Sequence, residues 1–204
     1  MLYGLETVSL RKRQESELET RSRTPRSDGC RPPERLLPVS YDVELWPDAE
    51  GLNIFTGNSS VVFECVKETD LILIHANKLN LTSEATLSRL DGSPAPSITS
   101  ANKTTGESQC LAFYLSEKLK AGERYQLHAE FRAELTEDLG GFYRNEYEHG
   151  AKKIVVSMWS RPTHTPGIFL CCHETKMKPE LHISLLQEPG TLTNAEQRGV
   201  QQKV

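Results

Sequence analysis

The sequence predicts an all-β domain built as an antiparallel β-sandwich. Three observations predict it: apolar and polar residues alternate over long segments, denser apolar runs lie between these segments, and turn residues separate one from the next. Alternation indicates a half-buried strand because successive side chains of a strand point to opposite faces of a sheet. No segment repeats its apolar residues every 3.6 positions over a useful length, so helices are not predicted.

The predicted strands follow one another from residue 36 onward. The two clearest alternating segments are 41–45 and 125–135, and each is predicted to bury one face. The full set of predicted strands covers residues 41–45, 60–66, 71–75, 111–115, 125–135, 153–159 and 181–185. Turn residues separate them, as at Asp91-Gly92-Ser93-Pro94, and many short strands joined by such turns are typical of a sandwich.

Three regions are predicted along the chain. Residues 1–35 are charged and contain prolines with almost nothing to bury, so they are predicted to be a disordered leader. Residues 36–186 form the predicted β domain, and residues 187–204 are a polar tail. A basic cluster at residues 11–13 leaves a nuclear or membrane-surface signal as an alternative, but the acidic residues that follow dilute it.

Composition excludes several classes of function. The 204 residues carry a net charge of −4, which gives no basic face for nucleic acid. No apolar run is long enough to span a bilayer. The start of the chain, residues 1–6, lacks the apolar stretch of a signal peptide. We therefore predict a protein that binds no nucleic acid and has no membrane span within this chain.

Signals for the cellular compartment point in different directions. Five cysteines without close CxxC or Cys/His spacing predict neither a zinc cluster nor a disulfide framework. Three sequons, at Asn58, Asn80 and Asn102, are predicted N-glycosylation sites if the chain enters the secretory lumen. Chance also produces such short motifs, and no leader is visible, so the sequence leaves the compartment open.

Several segments resemble the N-terminal β domain of the zinc aminopeptidase N family of metallopeptidases. Residues 37–47 are similar to the family's opening strand, and residues 53–57 and 71–80 are similar to its next strands. The most specific match is the segment 134–147, ELTEDLGGFYRNEY, because strand patterning alone does not produce that order of residues. The resemblance runs from about residue 36 to 186.

The resemblance implies a saddle-like β domain that binds no zinc itself. In the family this domain packs on a thermolysin-like catalytic domain and helps to wall its substrate pocket. The full-length relatives are implied to be plasma-membrane ectodomains that use Zn²⁺ to remove N-terminal residues from peptides. A catalytic domain or a full-length relative is therefore the implied partner of this chain.

The zinc machinery of the family is predicted to be absent here. It needs two His one helical turn apart with a Glu between them. His173 and Glu174 begin such a motif, but Met177 stands where the second His belongs, and a thioether is a poor Zn²⁺ ligand. The family's Gly-Ala-Met-Glu-Asn loop, which holds the substrate amine, is also missing. We predict no cofactor and no catalytic residue in this chain.

A structural motif of the family is partly kept. Residues 169–178 are similar to the family's Phe-Pro-Cys-Phe-Asp-Glu-Pro-x-x-Lys, and the matching positions are Phe169, Cys171, Glu174 and Lys178. Both prolines are replaced, which frees two φ angles and makes the loop less specified. Cys172 replaces the second aromatic, and the adjacent cysteines are interpreted as a buried structural thiol beside an incidental one.

Trp159 stands where the family has the Gln that reaches into the catalytic pocket. An indole has one donor and no acceptor, so it cannot reproduce the contacts of an amide. Two explanations stay open for this departure: relaxed selection, or a reading-frame or splice irregularity across residues 157–167.

Three functional hypotheses follow. The first is a non-catalytic β domain, and the second is an incomplete piece of a genuine zinc aminopeptidase that continues past residue 186. The third is an interaction domain that occupies the partner surface of a full-length relative. The family's domain continues through further strands after 181–185, so we also expect this domain to be incomplete at its C-terminal end, with an unpaired sheet edge there.

Overall fold

The computed structural model describes residues 4–10, 35–48, 53–103, 110–135, 141–149, 151–159, 165–172 and 179–187. Within these ranges the chain forms twelve strands and one short 3-10 turn, Thr165–Gly167. The strands are β1 (Gly4–Leu10), β2 (Leu36–Asp48), β3 (Ile54–Cys65), β4 (Thr69–His75), β5 (Asn80–Leu81), β6 (Thr86–Arg89), β7 (Ile98–Lys103), β8 (Cys110–Leu119), β9 (Arg124–Glu134), β10 (Gly141–His149), β11 (Ala151–Trp159) and β12 (Glu180–Gln187). The predicted all-β class is confirmed.

Three sheets organise these strands. The largest has the order β1-β12-β2-β3-β9-β5, with β6 also paired to β9. A second sheet has the order β4-β8-β7, and β10 and β11 form a hairpin. The pairs are antiparallel except for β12 and β2, which run parallel. The parallel pair is a departure from the purely antiparallel sandwich that alternation predicts, because alternation carries no information on strand direction.

One hydrophobic core joins the two larger sheets. It takes Phe55, Phe63 and Phe131 from the large sheet and Ile74 and Phe113 from the small one, all fully buried. These side chains occupy alternate positions of their strands, so the period-two pattern of the sequence places them on a common inner face. The core is therefore the sandwich interior that the alternation predicts.

Several strands were not predicted from the sequence. β5, β6 and β7 are short or mostly exposed, and so lack a strong apolar alternation. β1 falls inside the region predicted to be a disordered leader, and that prediction is wrong for residues 4–10. Its pairing partner β12 lies at the far end of the chain, so no local pattern reveals it. Residues 11–34 and 188–204, predicted as leader and tail, lie outside the described residues.

The described part of the chain contains no helix of the length and apolarity that a membrane span requires.

Candidate functional site

Residues 168–172, the described part of the family-like motif and its approach, are packed into the core. The 3-10 turn leads into them, and the Ile168 N–H donates to the Thr165 carbonyl at 2.9 Å. Ile168, Phe169 and Leu170 are fully buried. The segment is therefore held by burial of consecutive apolar residues, even though the two prolines of the family motif are absent.

Cys171 pairs with the end of β4 through its backbone. The His75 N–H donates to the Cys171 carbonyl at 2.9 Å, and the Cys171 N–H donates to the His75 carbonyl at 3.2 Å. β4 is an edge strand of its sheet, with β8 on its other side. Cys171 therefore satisfies backbone groups at that edge that would otherwise lack a partner within the sheet.

Tyr41 of β2 fixes the next residue of the segment. Its hydroxyl accepts a hydrogen bond from the Cys172 N–H at 3.0 Å. Its ring lies 5.8 Å from the Phe169 ring, tilted by 58°. The side chain is only 4% exposed. Burial strongly raises the pKa of the Tyr41 hydroxyl, and the neighbouring Cys172 and Cys171 raise it further. The phenol therefore stays neutral and acts as a hydrogen-bonding anchor.

His75 also contacts a cysteine on the neighbouring strand. Its Nδ1 lies 3.3 Å from the Cys110 sulfur, and Cys110 is disulfide-bonded. The spacing of the cysteines did not predict this disulfide. A Cys–His pair can act as a nucleophile and its base only when the sulfur is a thiolate. The oxidised sulfur has no such form, so the His75–Cys110 contact is structural.

Among the described cysteines, Cys65, Cys171 and Cys172 are reduced. Burial raises the pKa of the Cys65 thiol, and its Sγ donates to the Lys67 carbonyl at 3.2 Å. Cys171 is buried and Cys172 is half-buried. The interpretation of Cys171 as a buried thiol agrees with this placement.

The described histidines do not fit the zinc of the family. His128 Nδ1 is hydrogen-bonded to Ser60 Oγ at 2.9 Å, and His182 Nε2 lies 3.5 Å from Glu180 Oε1. His75 is directed at the Cys110 sulfur. Within the described ranges no three His, Cys, Asp or Glu side chains are grouped so that they could hold a metal ion. We therefore derive no catalytic step through zinc from these residues.

The remaining motif positions are only partly located. Trp159 is the last residue of β11, and its Cα partner is Gly141, the first residue of β10. Phe142 attaches the start of this hairpin to the core, since its ring meets Phe55 edge-on at 4.9 Å. Glu174 and Lys178 lie outside the described residues.

The three sequons differ in exposure. Asn58 is half-buried in the middle of β3, and its Nδ2 donates to Glu44 Oε2 at 2.8 Å. Asn80 and Asn102 are exposed. The Asn80 Oδ1 accepts a hydrogen bond from Lys103 Nζ at 2.7 Å, so the two exposed sequons adjoin each other.

The fold and the docked motif segment define a class of protein. The family model described as the Peptidase M1 N-terminal domain matches residues 37–199, and the chain belongs to this family. Aminopeptidase N of Mus musculus is 37% identical over 178 residues, covering 80% of this chain and 18% of that relative. Aminopeptidase Ey of Gallus gallus is 39% identical over 76% of this chain and 17% of its own length. Human aminopeptidase Q is 27% identical over 86% of the chain and 19% of its own length.

The chain thus spans less than a fifth of the curated relatives it matches. The resemblance inferred from residues 134–147 and 169–178 is confirmed at the level of the family. Sequence reasoning missed the Tyr41 hydroxyl, the backbone pairing of His75 and the Cys110 disulfide. Of these three features, only the burial of Tyr41 had a signal in the sequence, which is the alternation of residues 41–45.

Proposed function

We propose that this chain is a non-catalytic protein that resembles the first domain of a zinc aminopeptidase. The observation that carries the proposal is the use of the family-motif segment. Its described backbone pairs with His75 and Tyr41, and its apolar side chains are buried in the core. Groups engaged in this way hold a domain together and are not available to bind or activate a substrate.

The proposed partner is a catalytic domain of the family or a full-length relative. The much greater length of the relatives supports this, since each is named an aminopeptidase and the chain matches less than a fifth of it. Residues 1–35 and 187–204 contribute nothing to this argument. Residues 36–186 carry it.

The test combines an activity assay with a binding assay on the full chain. The purified chain is incubated with an aminoacyl anilide and added Zn²⁺, and we expect no hydrolysis above the buffer rate. It is then mixed with mouse aminopeptidase N from which the matching domain has been deleted, and we expect a one-to-one complex. Hydrolysis that a chelator abolishes would overturn the non-catalytic assignment, and absence of a complex would overturn the partner assignment.

Two variants sharpen the binding assay. Cys172→Pro removes the N–H that donates a hydrogen bond to the Tyr41 hydroxyl. It should therefore loosen the docked segment, residues 168–172, and weaken the complex. Tyr114→Ser changes an exposed side chain that is distant in sequence from Cys172, and it should leave binding unchanged. Equal weakening by both variants would show that the docked segment has no special part in the complex.

A second function is favoured by the relatives' names and lengths. These residues would then be part of a working zinc aminopeptidase that removes N-terminal residues from peptides. Sequencing of the transcript across residues 157–204 and beyond decides between the two, because an open frame with a His-Glu-x-x-His helix supports the enzyme. A stop codon directly after residue 204 supports the non-catalytic protein.

The proposal includes an oxidising compartment and glycosylation of the domain. The disulfide at Cys110 supports the compartment, since disulfides persist in secreted proteins and are rare in the cytosol. The exposure of Asn80 and Asn102 supports glycans at these two positions, whereas the Asn58 amide is engaged by Glu44. We expect glycosidase treatment of the chain from the secretory pathway to lower its mass by two glycans. Asn58→Gln should leave this change intact, and loss of one glycan in that variant would contradict the assignment.

A further inference from the structure

β12 has a neighbour on each side. On one side, Glu180–Leu185 run parallel to Ser40–Leu45 of β2. On the other side, Leu181–Gln187 pair antiparallel with all seven residues of β1. Within the described residues β12 is therefore paired on both sides, and the edge of the sheet at this end is formed by β1.

The two neighbours differ in origin. The family match covers residues 37–199, which includes nearly all of β2 and all of β12. β1, at Gly4–Leu10, lies wholly outside that match. A segment outside the family match therefore completes the sheet of this chain.

We infer that residues 4–10 are an appended edge strand, and that the β12 edge is a binding site for one extended segment of seven residues. A strand edge presents a row of N–H and C=O groups that another extended chain can pair with. Two residues at the centre of β12 are buried: Ile183 is 1% exposed and Ser184 is 5% exposed. Removal of β1 would turn this strand into an open edge.

The register favours occupation by the chain's own β1. Leu10, the last residue of β1, is the partner of Leu181, and Leu181 is the partner of Tyr41 near the start of β2. The end of β1 and the start of β2 therefore lie at the same end of the sheet. Two strand spacings, about 10 Å, separate β1 from β2, whereas 25 extended residues reach roughly 80 Å. A tether of this kind raises the effective concentration of β1 to the millimolar range.

Disulfide trapping tests the register and the occupant together. Ser9 and His182 are direct Cα partners, so the pair Ser9→Cys with His182→Cys should crosslink, because opposed residues lie about 4.5–5.5 Å apart and disulfides span about 4.4–6.8 Å between Cα atoms. The matched control is Ser9→Cys with Asp42→Cys. Asp42 is the partner of His182 on β2 and lies one strand further from β1.

After oxidation with oxidised glutathione, peptide mapping measures the crosslink at these positions. We expect an intrachain crosslink in most molecules of the first variant and at least tenfold less in the control, whose residues lie beyond about 7 Å. Equal yields, or no crosslink in either variant, would overturn the strand assignment. A crosslink between two chains would overturn the assignment of β12 to the chain's own segment.

A chain that lacks residues 1–10 provides a second measurement. We expect it to melt at a lower temperature than the full chain and to self-associate through the open β12 edge. A synthetic peptide of residues 4–10 should bind it and restore the monomer, and a scrambled peptide should not. A truncated chain that stays monomeric with an unchanged melting temperature would overturn the inference.

Discussion

Gly57→Ala should strongly destabilise the domain. Gly57 lies in β3 between its partners Leu45 on β2 and Phe131 on β9. A Cβ at this position would come within 2.6 Å of the Glu44 carbonyl oxygen, 2.9 Å of Leu45 Cδ2 and 3.0 Å of Phe131 Cζ. The nearest atom belongs to the backbone of a paired strand, so the clash cannot be relieved by turning a flexible side chain.

The cost follows from this geometry. Overpacking a core costs about 1–3 kcal/mol, and a clash with the backbone belongs at the upper end, about 3 kcal/mol. In a chain of this size a loss of 1 kcal/mol lowers the melting temperature by about 2–4 °C, so we expect a fall of roughly 6–12 °C. The free energy of unfolding should be measured by urea titration with circular dichroism, and the melting temperature by a thermal scan.

Gly167→Ala is the matched control for this substitution. The nearest atom to a Cβ at Gly167 is the Asn77 carbonyl oxygen at 3.9 Å, which is ordinary van der Waals contact. A Gly to Ala change without strain alters stability by about 1 kcal/mol or less. Equal urea midpoints for Gly57→Ala and Gly167→Ala would refute the argument that the close approach of β2 and β9 excludes a side chain at residue 57.

Three further predictions concern the docked segment and the thiols. Tyr41→Phe leaves the Cys172 N–H without its acceptor, so the free energy of unfolding measured in urea should fall by about 1–3 kcal/mol. The control Tyr114→Phe changes a side chain that is 45% exposed and should be near neutral. Equal urea midpoints for the two variants would contradict this prediction. Burial raises the pKa of the Tyr41 hydroxyl in the folded chain above its unfolded value of about 10. The contribution of Tyr41 to the free energy of unfolding is therefore complete below about pH 10. It falls above that pH because the unfolded chain loses the phenol proton while the folded chain keeps it. The stability difference between the native chain and Tyr41→Phe should therefore shrink at alkaline pH, and a constant difference would refute the burial argument. Half-buried Cys172 should be alkylated before the buried Cys65 and Cys171 in native protein, as followed by mass spectrometry, and earlier labelling of Cys65 would be the contrary result.

The sequence predicted the strands whose burial pattern is local. Residues 125–135 alternate without interruption, and β9 occupies nearly the same span. Residues 71–75 fall within β4 for a similar reason. Prediction was weaker for β3, which begins at Ile54, because residues 56–60 within it, Thr-Gly-Asn-Ser-Ser, contain no bulky apolar side chain. Gly57 is there to let neighbouring strands approach, a requirement that no alternation pattern contains.

In the candidate site, the sequence identified the buried residues of the motif but not the groups that hold them. Phe169 and Cys171 were singled out by resemblance, and both are buried in the docked segment. The groups that hold this segment, the Tyr41 hydroxyl and the His75 backbone, lie on strands far away in the chain. Such partners cannot be read from spacing, because a hydrogen bond depends on the position of two atoms in space and not on their separation in sequence.

By itself, the sequence determined the all-β class, the inner face of the main strands and membership of the aminopeptidase family. These follow from side-chain alternation and residue order, which are local properties. Only the tertiary structure decided that β12 runs parallel to β2, that β1 covers its other edge and that Tyr41 anchors the motif segment. Strand direction, edge pairing and buried hydrogen bonds are set by which distant segments the folded core brings together.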